Sequence, residues 1–400
     1  MLTEFGVTAR WHGGYDESAL EAWAVEARSN LGDRRVSLGI VFMTPRLFPN
    51  AAQVLEILRV HARIPLLVGA SSTSLIAGGE EAEDCDGIAL GLFSLPGAEL
   101  RGVYFNQGRV EAATEADFWV RETGVQAGET GGWLAFLDPF GIDAENWLKQ
   151  WNLAYAGRPV FGGLSSGAPG KQSTQVYLDG AVYEEGGVAV SVGGGVELAG
   201  VISQGCTPVG QTWTITRAER NFIHELGGRP AYEVLAETFE GLSSEEQLRA
   251  RGNLFVGLVV DEYRDEFRRG DFLVRSLMGV DPQSGALAVG AMPRPGQTLQ
   301  FQRRDAAAAS EDLQTMLRQT RERLGGRSIY GGFLCCCNGR GQALFGKPDH
   351  DAALVQAELG PLSVAGFFCN GEIGPVGARN FFHGYTASLG LFVDRASSTP

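Results

Sequence analysis

A mixed α/β fold, with β-sheets flanked by helices and built from repeated strand-helix-strand-strand units in two domains, is predicted by three features of the sequence. The first is length. Four hundred residues exceed the usual size of a single hydrophobic core, so two domains are expected. The second is an internal similarity: Phe42-Met43-Thr44-Pro45 matches Phe136-Leu137-Asp138-Pro139, and the segment 65–72 matches 159–166. Both matches share one offset (136 − 42 = 94 and 165 − 71 = 94), which aligns Ser71 with Ser165. The third is the alternation of short apolar runs with stretches of helical spacing, the pattern of parallel βαβ units covered by helices.

In the first unit, residues 38–43 form an apolar strand, and residues 51–61 carry helical spacing at Val54, Ile57, Leu58 and His61. A return strand covers 66–69 and a further strand 87–93. In the second unit the strands are 133–137, 160–163 and 188–192, around a helix at 144–155 with Asp143 as its N-cap. A third, looser unit closes the chain, with strands at 332–337, 362–368 and 385–393 and a helix at 349–359. Between the second and third units the pattern changes. A helix near 231–238, a strand at 254–259, and two strands within 270–290 joined by a turn at Pro282-Gln283-Ser284-Gly285 are expected there. An acidic helix at 310–324 follows. The strand-like run 212–216 precedes the expected domain boundary, giving domains 1–217, with two repeats, and 218–400, with the third.

Composition narrows the function by exclusion. Lys+Arg 33 against Asp+Glu 47 gives a net charge of −14, which argues against nucleic acid or an anionic membrane as partner. The first residues lack a basic segment followed by an apolar core, and no run approaches the ~18 apolar residues that span a bilayer, so a cytoplasmic protein is expected. Three of the six cysteines are consecutive. Neighbouring side chains on a strand face opposite ways, so Cys335, Cys336 and Cys337 cannot hold one metal together and read as buried free thiols. Five scattered histidines and the lack of an H-E-x-x-H motif add no metal site.

Ligands of open α/β sheets sit beyond the carboxyl ends of strands. Here the return strands end in small, polar, Gly-rich segments that hold Ser71 and Ser72, then Ser165 and Ser166, then Asn370 to Asn380. The last segment gathers Asn370, Glu372, Arg379 and Asn380, and opposite charges at Glu372 and Arg379 suit the amino and carboxylate groups of an amino-acid-like ligand. Cys206, in a Gly-rich turn, completes the set of candidate ligand-binding residues. Gly163-Leu164-Ser165-Ser166-Gly167 formally matches the nucleophile elbow G-x-S-x-G. That motif opens a helix, and Ala168-Pro169-Gly170 breaks one. A hydrolase on Ser165, or a thiol enzyme on Cys206, is therefore the alternative to a binding protein.

The stretch Gln204-Gly205-Cys206-Thr207-Pro208-Val209-Gly210, with Gly227-Gly228-Arg229-Pro230-Ala231, resembles the junction of the two halves of the FIST family. Gly270-Asp271-Phe272-Leu273-Val274-Arg275, the ending 367–375 and the run 379–387 resemble its C-terminal half, so the likeness spans nearly the whole chain. The resemblance implies a sensory protein, not an enzyme, for a small ligand such as an amino acid. With no output domain expected in the chain, a signalling partner would carry the message onward. It names no cofactor and no catalytic residues. Some bacterial members bind haem and sense nitric oxide; for that alternative His383, among Phe381, Phe382 and Tyr385, is the candidate axial ligand.

Overall fold

The computed structural model describes all residues except 169, 265, 268, 269, 282 and 396–400. Pro169 after Ser165, and Pro282 of the expected turn, therefore lie outside the described residues. Two compact units appear: Met1–Ile202 with Gln314–Pro400, and Ser203–Leu313. The division expected at residue 218 falls inside a strand, Cys206–Glu219, of the second unit.

The first unit is made of three segments with one element order. The first segment runs β1 (Gly6–His12), α1 (Glu17–Ser29), β2 (Leu38–Met43), α2 (Ala51–His61), β3 (Leu67–Ser71), the hairpin β4 (Leu75–Ala77) and β5 (Glu80–Ala82), then β6 (Gly87–Phe93). The second runs β7 (Ala98–Phe105), α3 (Gln107–Ala112), α4 (Phe118–Thr123), β8 (Thr130–Leu137), α5 (Ala144–Ala154) and β9 (Val160–Leu164). Its hairpin is β10 (Val176–Leu178) and β11 (Ala181–Tyr183), followed by β12 (Gly187–Gly194). The third begins with β13 (Val196–Ser203), after which the chain makes the second unit.

In that second unit, β14 (Cys206–Glu219), β15 (Phe222–Leu226), β16 (Arg229–Pro230), α6 (Ala231–Glu240), α7 (Ser244–Ala250), β17 (Leu254–Val259), β18 (Phe272–Val280), β19 (Leu287–Val289) and β20 (Thr298–Arg304) follow in order. The sheet order is β14-β20-β17-β18-β19-β15-β16, and β14 also pairs with β15, so the sheet closes on itself. Its strands pair antiparallel throughout the described residues. Ile215, Ile223, Val256, Leu287, Leu299 and Phe301 fill its core. Closure removes the unpaired edges that an open sheet would present.

The third segment resumes within α8 (Ala306–Leu324), from Gln314 onward, and continues with β21 (Ile329–Cys337), α9 (Gln342–Phe345), α10 (His350–Leu359), β22 (Val364–Cys369), the hairpin β23 (Glu372–Val376) and β24 (Arg379–His383), and β25 (Ala387–Asp394). Each segment builds a four-stranded sheet of the same order: β1-β6-β2-β3, β7-β12-β8-β9 and β13-β25-β21-β22. The pairs β2/β3, β8/β9 and β21/β22 are parallel, as the βαβ pattern requires.

Each hairpin leaves its own sheet. β4 joins β22, β10 joins β3 and β23 joins β9, so the three sheets exchange hairpins in a closed cycle.

Strand alternation explains how one strand faces two cores. Val41 and Met43 of β2 pack with Leu20 and Ala24 of α1 and Val54 and Leu58 of α2, while Ile40 and Phe42 face a core shared with Phe136, Phe333 and Phe367. β8 does the same: Trp133 and Ala135 meet Trp147 and Trp151 of α5, and Leu134 and Phe136 face the shared core. There Phe42 stacks on Phe367 at 4.4 Å and meets Phe136 edge-on at 5.2 Å. Among the described residues, no helix is long and apolar enough to cross a membrane, and no group of three or more His, Cys, Asp and Glu is arranged to hold a metal ion.

Candidate functional site

The three return strands end together, and glycine sets their register. A Cβ on Gly69 would lie 1.8 Å from the Val41 carbonyl oxygen, on Gly162 1.8 Å from that of Ala135, and on Gly366 2.2 Å from that of Leu334. These three glycines are structural counterparts, and three residues beyond them stand Ser72, Ser165 and Cys369. The uniform 94-residue offset had aligned Ser71 with Ser165. In the ladders, Met43 pairs with Ser71 and Leu137 with Leu164, so Ser165 corresponds to Ser72. The slip arises at Gly162-Gly163, where the glycine demanded by the close approach is the first of the doublet.

The four serines are buried, and their hydroxyls bond to main-chain atoms. Ser71 Oγ donates to the Ser166 carbonyl (2.8 Å) and accepts from Gln175 N–H (2.9 Å). Ser72 Oγ lies 2.9 Å from the Phe368 carbonyl, Ser166 Oγ lies 2.6 Å from the same oxygen, and Ser165 Oγ donates to the Leu137 carbonyl at 2.9 Å. Main-chain bonds from Ser166 N–H to Ser71 (3.1 Å) and from Asn370 N–H to Leu164 (3.0 Å) complete the stitching. The serines tie strand ends together. A Ser165 nucleophile would need its hydroxyl facing a base, and that hydroxyl is spent on a carbonyl. Asn370 belongs to the same junction, donating to the Ser165 carbonyl at 2.9 Å and accepting from Asn338 at 2.9 Å.

Beside this junction stands Glu372, paired in register with Gly163 of β9. Ile373 pairs with Gly162 as Tyr177 does with Gly69 and Ile76 with Gly366. The residue before each is therefore Glu372 in one hairpin, Val176 in the second and Leu75 in the third. Val176 and Leu75 belong to the shared apolar core. Glu372 is 0% exposed. Its Oε1 accepts from the Cys369 thiol at 3.2 Å and its Oε2 from Thr386 N–H at 3.1 Å. Burial pushes its carboxyl up to about 8, with the Cys369 and Thr386 contacts and the Arg340 guanidinium pulling the other way. Burial thus favours the protonated form of this carboxyl. Burial also pushes the thiols of Cys335 and Cys369 well up, so neither is a ready thiolate.

The expected partnership of Glu372 with Arg379 is not formed. Glu372 pairs with His383 and Arg379 with Val376, at opposite ends of the hairpin. Four residues of strand separate their levels, roughly 13 Å at ~3.3 Å each. Arg379 is exposed, with its guanidinium 5.8 Å from the Phe381 ring centroid. Asn380 is buried and fully used: it donates to Asn152 Oδ1 and the Arg158 carbonyl, both at 2.9 Å, and accepts from Val160 N–H at 2.8 Å. It pins the hairpin to α5 and β9. His383 is buried, its Nε2 3.0 Å from the Gly374 carbonyl within its own hairpin, and a porphyrin iron at that nitrogen would have to break this contact. Cys206 opens β14 in the second unit, buried and paired in register with Arg304.

Sequence reasoning missed a second polar cluster. Arg340 and Asp351 are 1% exposed each and form a two-point pair (Nε to Oδ2 2.5 Å, Nη2 to Oδ1 2.9 Å). His350 Nδ1 adds a contact to Asp351 at 2.9 Å, and the Cys336 thiol another at 3.6 Å. Burial works against the Asp351 charge, but Arg340 overrides it and holds the carboxyl well below its usual range. Glu81, on the exchanged hairpin, accepts from Ala352 N–H in the first turn of α10 at 2.8 Å, and burial beside Asp351 raises its carboxyl to about 7. No local sequence signal marked it, since Glu81, Arg340 and Asp351 stand among glycine and polar neighbours.

Comparison with known proteins places the chain among relatives. A model of the FIST N domain matches residues 37–229, and one of the FIST C domain matches 231–375. An uncharacterized protein of Mycobacterium bovis is 37% identical over 380 residues, covering 94% of this chain and 96% of its own. An uncharacterized protein of Mycobacterium tuberculosis is 36% identical over 379 residues with the same coverage. Among solved structures, two cyanuric acid hydrolases align over 98% of this chain and 100% and 99% of theirs. They are 9% and 10% identical, with TM-scores of 0.35 and 0.37, a likeness too slight to carry an argument about chemistry.

Proposed function

The chain belongs to the FIST family, whose domains are associated with small-ligand sensing in signal transduction, and on that premise we propose that it binds a small polar metabolite, such as an amino acid, at the strand-end junction around Glu372. It acts as a binding protein and not a catalyst, and it passes its message to a partner protein. Glu372 is the group that meets the ligand, and Ser72, Ser165, Ser166 and Asn370 hold the strand ends in place around it. Glu372 then holds the ligand as a neutral hydrogen-bonding acid, where the sequence alone had suggested a charged clamp with Arg379.

One observation carries the reading: a fully buried carboxylic acid stands where the two sister hairpins place Leu75 and Val176. Burying a polar group in apolar surroundings costs free energy that an aliphatic side chain avoids. A residue kept against that cost is a candidate for function. The serine hydroxyls, each already bonded to main chain, speak against a serine nucleophile at the junction.

The test is a thermal-shift screen of the amino acids and related metabolites on the full chain, followed by calorimetry of the best hit on wild type and Glu372→Gln. The variant keeps shape but loses the titratable proton, and the expected loss of affinity is about ten- to a hundredfold. Unchanged affinity in Glu372→Gln would remove the junction from consideration as the binding site.

A further inference from the structure

A recess in the first unit lies at the other end of β9 from Ser165. Its volume is about 260 Å³, and its walls are Phe161, Leu198, Leu324 and Pro375, with Arg323 and Arg327 beside them. That is smaller than the ~300–1,000 Å³ of drug-sized sites, so its occupant is small.

The two guanidinium groups are held differently. Arg327 donates through Nε to the Asp394 carbonyl (2.8 Å) and through Nη2 to Glu197 (2.7 Å). Arg323 donates to the hydroxyl of Thr320 at 2.7 Å and has no carboxylate partner among the described residues. Arg323, exposed and without a carboxylate partner among the described residues, thus sets a positive charge beside apolar walls, in a chain whose net charge is −14. A cation in the last turn of α8 is favourable to the helix dipole by itself. The dipole does not account for the apolar recess beneath it.

We propose that this recess binds a small monocarboxylate with a compact apolar body, short-chain or aromatic. The carboxylate pairs with Arg323, positioned by buried Thr320, and the body lies against Phe161, Leu198, Leu324 and Pro375. The site is separate from the Glu372 junction and goes beyond the reading given there.

Benzoate and hexanoate are titrated into the full chain by calorimetry, with benzyl alcohol, hexanol and inorganic phosphate as controls. At least one carboxylate is expected to saturate, with the matching alcohol and phosphate at least about tenfold weaker. Arg323→Gln should weaken carboxylate binding about ten- to a hundredfold. Ala199→Trp, which fills the recess, should abolish it, and Glu372→Gln should leave it unchanged, which separates this site from the junction. No saturable binding by either carboxylate, alcohol or phosphate binding as tight as carboxylate, or full affinity in Arg323→Gln would overturn the proposal. If Ala199→Trp misfolds, Arg323→Gln alone decides.

Discussion

Glu372 and Glu81 both carry carboxyl groups raised by burial, to about 8 and about 7. Between the ordinary carboxylate range and those values the folded chain holds protons that the unfolded chain has released. The contribution of these two groups to stability is therefore full at low pH and falls as pH rises through this window, by at most about 1.4 kcal/mol per pH unit for each group. Urea unfolding at about pH 5, 6.5 and 8 should show the decline, and Glu372→Gln should flatten its upper part. An equally steep decline in the variant would contradict the assignment of that proton to Glu372. Asp351 works in the opposite sense, because its charge is held by Arg340. Asp351→Asn would leave the buried guanidinium uncompensated and should cost about 3–5 kcal/mol, read as a shift of the urea midpoint. Of these residues, Glu372 was visible in the sequence only as one charge in a Gly-rich segment. It meets Cys369, while Arg379, expected to hold the other end of the same ligand, stands at the far end of the hairpin, because strand pairing, not sequence proximity, decides which side chains share a site.

At the scale of elements, apolar strands and amphipathic helices were legible because burial on both faces leaves unbroken runs. Residues 38–43, 51–61, 87–93 and 254–259 match observed elements end to end. The hairpins were not legible. Leu75–Ala77 and Val176–Leu178 are three residues long, too short to show a period, and each is stabilised by a strand of another segment. The length of β14 was hidden for a related reason: its exposed positions alternate irregularly across register shifts. The glycine register makes a direct prediction. Gly162→Ala would drive a methyl group into the Ala135 carbonyl, so β8 and β9 must separate, at a cost of about 1–3 kcal/mol or more. Thermal unfolding measures it, and a variant as stable as wild type would show that the strands are not so closely apposed.

For the molecule as a whole, the cyclic exchange of hairpins means that no sheet of the first unit is complete without a strand pair from another segment. The first unit should therefore unfold cooperatively. Gly366→Ala, in the third segment, should lower the unfolding midpoint reported by the buried tryptophans of the second, Trp133, Trp147 and Trp151. A midpoint unmoved at those tryptophans would show that the segments unfold separately. Length and repeated pattern pointed to this architecture, but the exchange is a non-local feature that no local stretch of sequence encodes.

The central claim is that Glu372 is retained for a ligand at the expense of stability, and Glu372→Leu tests it most directly. Leucine copies the side chain found at Leu75 of the sister hairpin and removes the buried acid. Unfolding and ligand calorimetry are measured together on this variant, at about pH 8 where the acid is least favourable. The account predicts a more stable protein, by about 1–4 kcal/mol, that no longer binds the metabolite recognised by wild type. A variant that is less stable, or that binds that metabolite as tightly as wild type, would contradict it.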